Sequence, residues 1–295
     1  MGRFCEAAGK GHEMKKNAKN TARSNSAALE DLGNKEWRFA EIPYETEMKF
    51  NDLLESRDYG NVSPAEMERQ LRELLREAPN FIDVYHHLAM LLDQRGKIQE
   101  ASLLWQQAVN IGMQCFIEQF SAAGNKLEWG WLENRPFLRA YHSLGLQHLA
   151  SGNVEMALSI FRTIMAMNPG DNQGVRALVA DCCLKLKMYK DALAVCEDAE
   201  GDHMAETVYG RVLALVALKR MTKAEKALRQ AVAGLPLVAE ELVKARHTRP
   251  RNMREGHYTV GGADQAWYYW KETGEYWEQV PGAIEFVREF LKGRG

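Results

Sequence analysis

"GNVEMALSIF", residues 152–161, sets a glycine ahead of a helical stretch and then places Ala157 four residues before Phe161. Residues four apart lie on one face of a helix, so a very small apolar side chain is stacked beside a very large one. A helix that needed only an apolar stripe would accept leucine at both places. The pairing predicts instead that two helix backbones approach closely at Ala157 while Phe161 fills the space beside them.

The same spacing recurs outward from this stretch. Setting "YHHLAMLLDQRGKIQEASLLWQQAV" (85–109) against "YHSLGLQHLASGNVEMALSIFRTIM" (141–165) superposes Tyr85 on Tyr141, Ala89 on Gly145, Gly96 on Gly152, Ala101 on Ala157 and Trp105 on Phe161. A third copy, residues 176–199, brings Ala180 and Ala192 to the two small-residue places, and a fourth, 208–232, brings Ala224. Self-similarity at such a period marks an array of supersecondary units, each burying its apolar face against the next.

These residues resemble the tetratricopeptide repeat (TPR): an aromatic, Leu-Gly or Leu-Ala, a mid-repeat glycine, a second-helix alanine, a second aromatic, and a closing proline such as Pro169. The second copy is nearly complete. The third has Arg176 and Cys196 at the aromatic places, and the fourth keeps Ala224, Leu228 and Ala231. The resemblance covers roughly 63–235 and implies an all-α, right-handed α-solenoid of about four helix-turn-helix repeats with helical caps. The phrases "ENRPFLRA" and "NPGDNQG" and the C-terminal tail are similar to bacterial TPR proteins of unassigned function.

The spacing is uneven, because 56 residues separate Ala101 from Ala157, more than a repeat of about 34 allows. The excess falls in 112–137, read as an extended helix and an aromatic loop. Residues 1–35 are polar and carry few large apolar side chains, which predicts a disordered tail. The solenoid is expected over 36–246, a basic connector over 247–261, and an aromatic helical cap over 262–295. At its start, Ser63, Pro64 and Glu66 have the pattern of a capped helix over 64–77.

A formal charge of -2 excludes a chain-wide attraction to nucleic acid or anionic membrane. Five cysteines without paired spacing, and no secretory apolar core near the start, predict free thiols and a cytoplasmic protein. Phosphate-binding glycine loops, nucleophile elbows and HExxH do not occur. Cys182, Cys183, Cys196 and His203 lack a CxxC pair, and adjacent helical cysteines diverge by about 100°. The expectation is a non-enzymatic protein with no cofactor or metal.

In the family that the chain resembles, partners bind the concave face lined by first helices. The corresponding positions include His86, Met90, Arg139, His142, Leu146, Asp181, Tyr209 and Leu213, which implies a scaffold or adaptor taking a segment of another protein. The Lys/Asn/Arg carboxylate clamp of chaperone-binding members is absent: His86, Met90, Ser143, Gly174 and Leu178 stand at its places. Arg249 and Arg251, in the basic stretch 244–254, and Trp267 and Trp270, in the aromatic tail, are candidates for secondary contact. The stretch could hold phosphates but has no interleaved aromatics for base stacking. Nucleic acid is therefore the alternative partner, not the expected one, and a self-capped homo-oligomer is a further alternative.

Substituting Ala157→Leu is expected to overpack the helix contact and cost about 1–3 kcal/mol, read as a lowered urea midpoint with an unchanged slope.

Overall fold

The computed structural model describes residues 27–121, 124–197, 204–251, 253–254 and 257–293. They begin with a hairpin, Leu29–Gly33 (β1) and Glu36–Phe39 (β2), followed by Tyr44–Asp58 (α1) and Pro64–Glu77 (α2). Four helix pairs succeed them: Ile82–Gln94 (α3) with Ile98–Gln114 (α4), then, after the short Glu118–Ser121 (α5), Arg135–Ala150 (α6) with Val154–Met167 (α7). Val175–Lys185 (α8) packs with Tyr189–Glu197 (α9), and Ala205–Ala217 (α10) with Met221–Gly234 (α11). Pro236–Leu242 (α12), Ala263–Gln279 (α13) and Ala283–Lys292 (α14) end the chain. The architecture is an all-α solenoid carrying one small hairpin.

Packing explains the small residues. Ala101, Ala157, Ala192 and Ala224 are all fully buried in the second helices. A Cβ added at Gly145 would stand 2.5 Å from the Phe161 ring, so the first helix can lie against Phe161 only without a side chain there. At Trp105, the counterpart of Phe161, the indole N–H is also buried and donates to His86 Nδ1 at 3.2 Å.

One turn joins the two helices in every repeat. The amides of Lys97, Asn153, Met188 and Arg220 each donate back to the carbonyl five residues earlier, closing the first helix as a Schellman motif. The residue before each donor is left-handed: Gly96 (φ 75°), Gly152 (φ 79°), Lys187 (φ 58°) and Lys219 (φ 59°). Gly152 is therefore explained by backbone geometry, and the two lysines adopt the same geometry at a steric cost.

At α2 the cap forms as a donor pair of one. Ser63 Oγ accepts from the Glu66 amide at 3.2 Å, whereas the Glu66 carboxylate turns to Arg69 and Gln70 rather than back to Ser63.

The hairpin corrects the expectation of a disordered tail through residue 35. Leu29 pairs with Phe39 and Asp31 with Trp37, and the turn passes through Asn34 and Lys35, both left-handed. Trp37 and Phe39 are buried, Trp37 edge-on to Phe120 at 5.8 Å and Phe39 against Phe137 at 5.3 Å. The strand partner and the aromatic anchors lie outside 1–35, which is why composition alone misjudged 29–35. Residues 1–26 lie outside the described residues.

Asn134 joins hairpin to solenoid. Fully buried in "ENRPFLRA", it accepts from the Phe39 amide at 3.0 Å and donates to the Trp37 carbonyl at 3.0 Å and the Glu128 carbonyl at 3.1 Å. "NPGDNQG" is a second joint: Asn168 accepts from the Trp129 amide, and Asp171 accepts from the Val175 amide at the start of α8.

Three substitutions test these assignments by urea unfolding. Gly152→Ala should cost about 1 kcal/mol and Lys187→Gly should recover up to about 1 kcal/mol. Asn134→Ala strands the Phe39 amide and should cost about 1–3 kcal/mol, with hydrogen-exchange protection lost first in the hairpin.

Candidate functional site

The first helices α3 and α6, with the turn leading into α8, wall an open cleft of about 360 Å³ lined by His86, Met90, Asp93, Trp105, Arg139, His142, Ser143, Leu146, Gln147 and Gln173. Met90 and Leu146 stand at its rim, 38% and 39% exposed. Arg139 spans the repeats to Asp83, with its Nη2 2.8 Å from one carboxylate oxygen and 3.0 Å from the other. Gln147 donates to Asp93 at 3.1 Å, and Gln173 Nε2 to the Leu138 carbonyl at 3.2 Å.

Three buried polar atoms here have no hydrogen-bond partner among the described residues: Arg139 Nε, His142 Nε2 and Gln173 Oε1. A buried donor or acceptor left unpaired costs about 1–3 kcal/mol. All three atoms belong to residues that line the cleft, between the exposed Met90 and Leu146.

Burial disfavours the charged form of the histidines here. Burial lowers His86 to about 3, reinforced by the neighbouring His87, Arg139 and His142. His87 is lowered by burial against the pull of Asp83, and His142 likewise against Asp171. With Arg139 paired to Asp83, the charge left in the cleft lining is the Asp93 carboxylate, which accepts from Gln147.

His86 itself is corrected: it is 5% exposed and accepts from Trp105, so it holds the packing under the cleft floor. Its neighbour His87 is half-buried, edge-on to Phe50 at 5.2 Å.

Three other expected groove residues are closed off by the chain's own C-terminus. The α13 helix lies against α8 and α10. Tyr209 and Leu213 are both 0% exposed. The Tyr209 hydroxyl donates to the Leu235 carbonyl at 2.8 Å, and its ring meets Tyr269 at 5.9 Å. Trp277 Nε1 donates to the Tyr269 hydroxyl at 2.9 Å. Asp181 faces Tyr276; burial pushes its carboxyl up to about 6, opposed by the Tyr276 hydroxyl. These positions lie on first helices, and their sequence does not reveal that an aromatic helix folds back onto that face.

Of the secondary candidates, Arg249 and Trp267 meet, and Trp270 is covered by His247. Arg249 lies 6.0 Å over the Trp267 ring, and Trp270 stacks on His247 at 3.7 Å and 14°. Arg251 is exposed. Among the described residues no His, Cys, Asp and Glu group could hold a metal ion. Burial raises the Cys115 thiol to about 11 and the Cys182 thiol to about 12.

Paired antiparallel helices around small-residue contacts, with a concave cleft on the first helices, define a TPR-like α-solenoid. Among solved structures, a tetratricopeptide repeat protein from Parabacteroides merdae aligns over 85% of this chain and 79% of its own, with TM-score 0.50 and 14% identity. YrrB, a TPR protein described as having an unusual peptide-binding site, aligns over 76% of this chain and 97% of its own at TM-score 0.45 and 13% identity. Naa15/Naa10 bound to HypK-THB aligns over 85% of this chain and 34% of its own at TM-score 0.44 and 12% identity. No curated protein sequence matches at a significant level. The family described as Tcf25, transcriptional repressor TCF25, matches residues 55–273, and the chain belongs to that family.

The titrating groups act in opposite directions. His86 titrates at about 3 when folded against 6.5 ordinarily, so the unfolded chain binds the extra proton between those values. Its contribution is fully present above pH 6.5 and is lost as pH falls. Asp181 titrates at about 6 when folded against 3.8 ordinarily, so the folded chain takes up the proton first and gains stability as pH falls through that window. Asp181→Asn removes this offset, and its stability is expected to fall more steeply than wild type on acidification from pH 6 to 3.8, measured by urea midpoints.

Proposed function

We propose that the protein is a non-enzymatic scaffold or adaptor that receives an extended segment of a partner protein in the open cleft between α3, α6 and the start of α8. The carrying observation is the convergence of Arg139 Nε, His142 Nε2 and Gln173 Oε1, buried and unpaired, between the exposed Met90 and Leu146. A partner segment would draw these side chains outward to pair with its backbone, and the exposed Met90 and Leu146 would take its apolar side chains. The Asp93 carboxylate in the cleft lining favours a segment that is neutral or apolar over one that is strongly acidic.

The repressor role in the family's name suits a protein that acts by holding others together, which requires no catalytic centre. Buried free thiols at Cys115, Cys182 and Cys183 suit a reducing, cytoplasmic setting. No helix among the described residues is long and apolar enough to cross a membrane. Because α13 already covers the first-helix face of the last repeats, the cleft would take a short segment rather than one running the length of the solenoid.

A photo-crosslinking side chain at Leu146 should capture a discrete set of proteins, and the same group at Leu103, exposed on the second helix α4, should not. In affinity capture, Leu146→Glu should lose that set while Leu103→Glu keeps it. Identical capture by the two variants would remove the cleft from the reading.

A further inference from the structure

The segment 244–254 looked on its sequence like a basic loop without aromatic rings, and that reading held its nucleic-acid potential low. Folding supplies the rings from α13. Trp267 and Tyr268 are half-buried on the helix, leaving part of each ring accessible, and Tyr258 is 42% exposed beyond the loop. Around them, the Arg249 guanidinium lies 6.0 Å and the Lys271 ammonium 5.5 Å from the Trp267 ring centre.

The loop is held in place rather than loosely tethered. His247 stacks flat on Trp270, and its Nδ1 lies 3.0 Å from Glu241 Oε1, whose carboxylate also takes Lys244 at 2.6 Å. That leaves Arg246, Arg249, Arg251, Arg254 and Lys271 without an ion pair to any described carboxylate. The nearby Asp264 is committed to the amides of Thr259 and Gln265 at the start of α13. In a chain of formal charge -2, four arginines within one short segment, with Arg249 and Lys271 flanking the Trp267 ring, are a local concentration of positive charge.

We propose that this face binds single-stranded nucleic acid, with the cations on the phosphates and bases stacking on the Arg249–Trp267 pair and Tyr268. Cations interleaved with ring faces are the chemistry that sequence-tolerant single-strand binding needs, whereas a duplex hides its base faces. An acidic protein segment would match the charge but not the rings. It would also want an apolar pocket at its centre, and here the deepest ring, Trp270, is already capped by His247. The face is separate from the cleft between α3 and α6, so either site can fail without the other.

The test is fluorescence anisotropy of a labelled 15-nucleotide oligo(dT) or oligo(U) with the full chain. With about four phosphates engaged at about -0.7 each, the affinity should fall roughly fifty-fold from about 50 mM to about 200 mM salt. Arg249→Glu plus Arg251→Glu should weaken binding at least tenfold at the lower salt and roughly halve the salt slope. Lys223→Glu plus Lys226→Glu on α11, which makes the same change in net charge, should bind as wild type. Trp267→Leu, checked for an unchanged unfolding midpoint, should lose affinity with its salt slope intact. The proposal is overturned if the two charge-reversed variants bind alike, or if polyglutamate of matched charge displaces the oligonucleotide as well as unlabelled oligo(dT) does, which would make the face a site for acidic protein.

Discussion

The contact of the Phe161 ring with the bare backbone at Gly145 is the constraint on which the solenoid rests. It sets how closely a first helix can lie on its second helix, and the equivalent places hold Trp105 against α3, Cys196 in the third repeat and Leu228 in the fourth. The filler is aromatic in the first two repeats and smaller in the last two. Where it is largest, in the first repeat, the indole brings a buried N–H that must be paired, and His86 is used for it. A residue at a ligand-facing place is thereby drawn into the packing, and the cleft floor is set by Trp105 while its rims are left to Met90 and Leu146.

The turn between helices shows how a shared geometry tolerates different residues. All four turns close with the same backward hydrogen bond and a left-handed residue, yet only two use glycine. The bond is made by backbone, so tertiary packing of the flanking helices can hold a lysine in that conformation at a modest steric cost. This is why the repeat was easy to recognise at Gly96 and Gly152 and faint at Lys187 and Lys219, although the fold at the four positions is one and the same.

Legibility follows the range of the interactions involved. Local features were readable: the Ser63 cap, the small-residue places and the excess residues between the first two repeats each leave a signature within one or two turns of chain. What the sequence hid are long-range pairings. β1 has no apolar pattern strong enough to stand alone and depends on Phe39, which is tied in turn to Asn134, 95 residues beyond Phe39. The burial of Tyr209 involves Tyr269, which Trp277 holds by a hydrogen bond, and the periodicity of the first helix is the same whether an aromatic helix covers it or not. The aromatic run at 267–277 was a usable signal, because rings spread around a helix need cover on more than one side. It did not say which face of the solenoid would supply that cover.

That choice has two consequences for function. A solenoid must end in a helix that hides the last apolar face, and a cap on the outer end alone would have left the groove its full length. Instead α13 sets Tyr269 against Tyr209 and Tyr276 against Asp181, on the first helices of the last two repeats, while its Trp267 and Trp270 meet Arg249 and His247 of the basic loop. The contacts in the groove shorten it to the cleft around Arg139 and His142. The contacts with the loop give it aromatic neighbours that its own sequence lacks. One helix, required for stability, thus both limits where a peptide can lie and assembles a second surface of a different chemistry.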